Sequence, residues 1–219
     1  MEKLYDLLQV RPGITALIGG GGKTSLLYHL AEELRERGTV LVCTTTRIWP
    51  PEHLPVVNDV DAFRDALARY GVICAGTPAA QGKLSAPDFH WEGGADYILV
   101  EADGSAGRPF KAHESWEPVI PAQCHNTILV MGAGGLGKPI SKVAHRPAIY
   151  AKLADVSENH AVTPAVAAKV IKCEGLHDRV FVNQTDTEKE WDQARELAKL
   201  LDCPVVAGAL RDKFWKNIK

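Results

Sequence analysis

Short apolar runs alternate with longer amphipathic ones along this chain, the signature of an α/β protein with a mainly parallel sheet. Residues 14–18 read as a first strand, followed by glycines and a helix over about 23–37. In that helix Leu26, Leu27, Leu30, Ala31 and Leu34 form an apolar stripe at 3.6-residue spacing, and Gly38 supplies a stop. Further strands are expected at 40–43, 72–75, 97–100, 127–131, 179–182 and 204–207. Helices are expected near 59–70, 148–154, 164–171 and 186–201. The Gly-, Pro- and Ala-rich stretch 76–94 reads as a surface excursion with a small hairpin. No repeat, low-complexity tract or linker interrupts the pattern, so residues 1–219 are expected to form a single domain. The expected architecture is a three-layer α/β fold, a mainly parallel central sheet flanked by helices.

The run GGGGKTS sits between the first strand and the first long helix, the context a phosphate-binding loop requires. Gly19, Gly20, Gly21 and Gly22 let successive backbone N–H groups turn toward one point at a helix N-terminus. Lys23 would reach the β- and γ-phosphates, Thr24 would hold Mg²⁺ through its hydroxyl, and Ser25 completes the motif. The competing reading is a glycine-rich turn with a solvated lysine, yet four consecutive glycines cost backbone entropy that a plain turn does not need. The expectation is a P-loop nucleotide-binding domain that takes ATP or GTP with Mg²⁺. The spacing departs from GxxxxGK[ST], with Leu17 in place of the first glycine. It is similar to the shortened xGGxGK[ST] form of the MinD and nitrogenase-iron-protein group, except that Ile18 occupies the signature-lysine position.

Ligands of open parallel sheets gather at the carboxyl ends of the strands. YILVEADGS places Glu101 and Asp103 at such an end, as candidate magnesium carboxylates or as the group that orients an attacking water. The residues do not rank one above the other, and an ordinary polar loop is the alternative. Thr44, Thr45, Thr46 and Arg47 end another strand and could line the same edge, although threonine is also a plain strand former. Arg47, Arg108 and Lys111 could each stabilise phosphoryl charge, surface solvation being the expected role for any one of them.

Asn183-Gln184-Thr185-Asp186 follows another strand and resembles the guanine motif NKxD of G proteins, with Gln184 for lysine. The Asp186 carboxylate could accept from guanine N–H groups, and Asn183 could meet O6 or brace the loop. Ala207-Gly208-Ala209-Leu210 then resembles the small-residue loop that closes over guanine. Capping of the following helix by Thr185 or Asp186 is the alternative. A second glycine run, Gly132-Ala133-Gly134-Gly135-Leu136-Gly137, satisfies GxGxxG after a strand, but Lys138 and Pro139 follow where a dinucleotide site needs a helix.

Composition narrows the partners. A formal net charge of −2 argues against a nucleic-acid binder. Neither a signal peptide nor an apolar stretch of spanning length is visible, so no membrane partner and a cytoplasmic location are expected. The five cysteines are scattered and the eight histidines show no paired ligand spacing, so neither a disulfide framework nor a zinc site is expected. Cys43 and Cys74 sit in apolar runs and read as core residues.

Taken together, GGGGKTS, TTTRIWPP, LVEADGSAGRPFKAHESWEPVIP, the HRP of His145-Arg146-Pro147 and VNQTD resemble the YqeC family over nearly the whole chain. That resemblance implies an accessory role in maturing selenium-dependent molybdenum hydroxylases, in making or inserting a labile selenium cofactor. The implied partners are a nucleotide and either a small cofactor precursor or an apo-hydroxylase. Lys111, His113 and Glu114 lie in the family-like segment and could contact a second substrate or simply cap and solvate a loop. The chemistry stays open between an Mg²⁺-dependent NTPase, a nucleotide-switched cofactor chaperone and a small-molecule kinase.

Overall fold

The computed structural model describes residues 2–219, and it is a mixed α/β fold with a large, mostly parallel central sheet flanked by helices. The chain forms two compact units. Of the described residues, the first comprises 2–17, 24–104 and 119–126, and the second 18–23, 105–118 and 127–219.

The first unit runs α1 (Leu4–Leu7), β1 (Gly13–Gly19, whose last two residues belong to the second unit), α2 (Lys23–Leu34), β2 (Val40–Thr44), β3 (Arg47–Ile48), β4 (Val56–Val57), α3 (Val60–Tyr70), β5 (Val72–Ala75), β6 (Thr77–Pro78), β7 (Leu84–Ser85) and β8 (Tyr97–Glu101). Its strands are ordered β1-β8-β2-β5-β4, all parallel. β2, β5 and β8 are buried at every residue, so their apolar runs are continuous rather than alternating, as a sheet covered on both faces requires. The stripe of α2 is buried throughout. Asp59 accepts from the Ala62 N–H to cap α3, and Gly71 ends it at φ 70°. Within 76–94, β6 and β7 pair antiparallel and β3 joins them, while Trp91 lies in the core with Phe63, Ile73 and Ile98.

The second unit runs β9 (Phe110–Lys111), β10 (Cys124–Gly132, joining it from residue 127), α4 (Ile140–Val143), β11 (Ala144–His145), α5 (Pro147–Ala154), α6 (Pro164–Glu174), β12 (Arg179–Asn183), α7 (Glu188–Leu200), β13 (Val205–Ala209) and β14 (Phe214–Asn217). Its strands are ordered β14-β13-β12-β10, parallel except for the terminal β13–β14 pair. β9 and β11 form a separate parallel pair. Among the described residues no helix is long and apolar enough to cross a membrane.

Candidate functional site

The unit boundary falls at the Lys23–Thr24 peptide, so the glycine loop and the helix it opens are built in two parts. In the second unit the loop leaves β1 and packs directly on the end of β10. Gly21 sits at φ +65°, where a Cβ would lie 2.1 Å from the Gly132 nitrogen, so no side chain fits without moving backbone. Gly22, at φ +110°, would bring a Cβ to 2.7 Å from the Asn183 amide nitrogen. These glycines are therefore demanded by packing whether or not a ligand binds. Gly20 donates its N–H to the Val130 carbonyl at 2.8 Å, and Gly21 donates to Arg108 at 3.1 Å. The Gly20 and Gly21 N–H groups, expected to face an anion, are thus spent within the fold. Lys23 is buried, and its ammonium donates to the Gly19 carbonyl at 2.7 Å, across the mouth of the loop.

Asn183 fastens this loop. Its side-chain N–H donates to the Gly21 carbonyl at 2.8 Å, and its Oδ1 accepts from the Leu210 N–H at 3.2 Å. Thr185 N–H donates to Gly208 at 3.2 Å, so the ends of β12 and β13 and the glycine loop are tied together. Of the two roles open to Asn183, bracing is the one its geometry displays. The cap of α7 is Thr187, which with Glu190 forms a reciprocal capping box, so neither Thr185 nor Asp186 serves there. Asp186 is exposed. Its residue type fits a cap equally well, and only the position of Glu190 three residues beyond Thr187 betrays the register.

In the first unit Thr24 donates its hydroxyl to Glu101 Oε2 at 2.7 Å. Glu101 ends β8 and is 6% exposed, and Asp103 is fully buried two residues on. The strand end is held by the threonines: the Thr44 hydroxyl donates to the Glu101 carbonyl at 2.8 Å, and the Thr45 N–H donates to the same oxygen at 3.2 Å. Thr44 and Thr45 thus position Glu101, whereas Arg47 and Ser25 are exposed. A hydroxyl beside a carboxylate is a set of hard oxygens, the donor chemistry Mg²⁺ takes. Thr24 contacts Glu101, which distinguishes the two carboxylates that the sequence left level.

Lys111 is not a solvated cation. It is 5% exposed and paired with Glu117, which also pairs with Arg146. Burial acts to raise the Glu117 carboxyl, but the Lys111 and then the Arg146 contacts outweigh it and hold the group below its ordinary value. Arg146 reaches Glu114 at 3.5 Å and lies over the exposed Trp116 ring. His113 Nδ1 lies 2.9 Å from Glu174. These residues of the family-like segment thus brace it against β11 and α6. Burial pushes the Cys74 thiol up to about 12 and Cys43 well above its usual value, so both stay protonated at neutral pH.

Fold and site define a class first: an α/β protein with a Gly-Lys-Thr loop joining a parallel strand to a helix. Comparison with known proteins gives the family. Residues 15–148 match the YqeC protein family. The chain is 37% identical over 168 residues to an uncharacterized protein YqeC from Escherichia coli (strain K12), covering 68% of this chain and 62% of that one. The chain belongs to the YqeC family. The matched span holds the glycine loop and the acidic strand end, while Asn183 and Asp186 lie beyond it.

Proposed function

We infer that the protein is a Mg²⁺-dependent nucleotide-binding protein and an NTPase. The single observation carrying this reading is that Thr24, the residue after Lys23, donates its hydroxyl to Glu101. Nucleotide phosphates would lie on Gly22 and Lys23, which offer a backbone N–H and an ammonium to negative charge. Mg²⁺ would be held by Thr24 and Glu101 and would supply charge neutralisation at the terminal phosphates. Asp103, next in the same strand end, is the candidate for orienting an attacking water. GTP is the favoured nucleotide, because Asp186 follows a strand end braced by Asn183 and is not occupied as a helix cap. The resemblance of the family-like segments supports placing this chemistry in an accessory step of maturing selenium-dependent molybdenum hydroxylases.

Substituting Glu101→Gln tests the metal assignment. The variant should bind nucleotide without Mg²⁺ as the wild type does, and should lose most of the Mg²⁺-dependent gain and the turnover. Equal Mg²⁺ dependence in both proteins would remove Glu101 from the site.

A further inference from the structure

The second glycine run has no part in the nucleotide reading, yet the fold gives it a pocket. A cavity of about 490 Å³, wholly within the second unit, opens between the phosphate loop at Gly21 and Gly22 and the turn at Gly134, with Ser105, Lys138 and Gln184 on its walls. That volume is in the range of small-molecule sites. Among the described residues lining it, Lys138 is the charged one and none is a carboxylate. Glu190 places one carboxylate oxygen in the capping box of α7 and the other 3.8 Å from where a Cβ on Gly134 would lie. Arg108, beside the pocket in sequence, turns its guanidinium to the Lys142 carbonyl. Lys138 is exposed and supplies the positive end.

Gln184 gives the pocket its link to the loop. It is a non-glycine residue at φ 62°, a conformation L residues rarely adopt and one that persists only where the surroundings enforce it. Its side-chain oxygen lies over Gly132, where a Cβ would come within 2.2 Å of it. The residue before it, Asn183, holds the phosphate loop. The same strand end therefore shapes the pocket wall and braces the loop.

We propose that this pocket seats a small anionic second substrate, bearing a phosphate or carboxylate group, held by Lys138 beside the phosphate loop. The proposal rests on the nucleotide reading, because Gly21 and Gly22 of the phosphate loop form one side of the pocket. A kinase or ligase type of reaction needs such an acceptor next to the terminal phosphate, whereas simple hydrolysis does not.

Two variants probe it by different physics. Lys138→Ala removes the charge from an exposed position. Gly134→Leu adds bulk where a Cβ meets only ordinary contacts, at 3.7 Å from Gln184 and 3.8 Å from Glu190. Inorganic phosphate is titrated by calorimetry into protein saturated with Mg²⁺ and a non-hydrolysable GTP analogue. It is titrated separately into the Lys23→Ala protein without nucleotide, where the phosphate loop is disabled. Phosphate should bind in both settings and bind at least about tenfold more weakly in each pocket variant, the scale of one charged hydrogen bond. Nucleotide affinity should not change in either. If Lys138→Ala weakens nucleotide binding in parallel, the pocket holds the nucleotide itself and the proposal falls. It falls equally if phosphate fails to bind or binds the pocket variants as well as the parent. The nucleotide-free arm reads the pocket even if the protein proves to bind no nucleotide.

Discussion

The two glycine-rich turns each follow a strand, yet they do opposite things. Gly19–Gly22 leads at once into the twelve-residue helix α2, with Lys23 at its start. Gly132–Gly137 leads into one 3₁₀ turn and the four-residue helix α4. A helix of that length offers little dipole, and the Lys138 that follows stands on a pocket wall rather than on a helix N-terminus. The lesson is that glycine marks where backbones must approach, and the residues after it decide what the approach is for. At Gly21 the two turns touch, so the first depends on the second for its shape.

Breaking that contact should give the largest effect. Gly21→Ala puts alanine at φ +65°, which it resists, and must displace the Gly132 backbone, so it should destabilise the protein by more than about 4 kcal/mol or prevent folding. Gly134→Ala in the other turn meets only ordinary van der Waals contacts and should stay within about 1 kcal/mol of the parent. Thermal melts of the two variants check the contrast, and equal melting temperatures would mean the turns are interchangeable.

The brace is the next test. Asn183→Ala removes both of its hydrogen bonds, leaving the Gly21 carbonyl and the Leu210 N–H without this partner. A loss of about 1–3 kcal/mol is expected in denaturant unfolding. Nucleotide affinity should fall with it, because the loop is no longer fixed. A stable variant with unchanged affinity would return Asn183 to a passive role.

Much of this was legible beforehand, for reasons that differ by residue. Fully buried parallel strands read as continuous apolar runs, so β5 is found at the very residues expected, 72–75. The α2 stripe is equally plain, because one face carries five apolar residues at helical spacing. What escaped was tertiary. Lys111 looks like any surface lysine until Glu117 and Arg146 are seen beside it. Glu101 and Asp103 are two residues apart, and only the Thr24 hydroxyl, distant in sequence, tells them apart. The internal use of the Gly20 and Gly21 N–H groups depends on the carbonyls of Val130 and Arg108, which no local pattern announces.

The smallest predicted effect concerns the braced segment away from both turns. Glu117 has its folded pKa held below the ordinary 4.5 by Lys111 and Arg146 against the opposing effect of burial. As pH falls the unfolded chain takes the proton first, so this stabilisation is complete above about 4.5 and is lost as pH drops through the lower folded value. The melting-temperature gap between wild type and Glu117→Gln should be widest near neutrality and narrow in acid. A gap that stays constant with pH would show that the contacts do not depend on the carboxylate charge.

The central claim is that the first glycine turn holds a nucleotide, and calorimetric titration with Mg²⁺·GTP and Mg²⁺·ATP tests it most directly. Wild-type protein should bind GTP more tightly than ATP, and Lys23→Ala, checked to be folded by its melt, should lose that binding. Binding of neither nucleotide, or undiminished binding by the variant, would contradict the account.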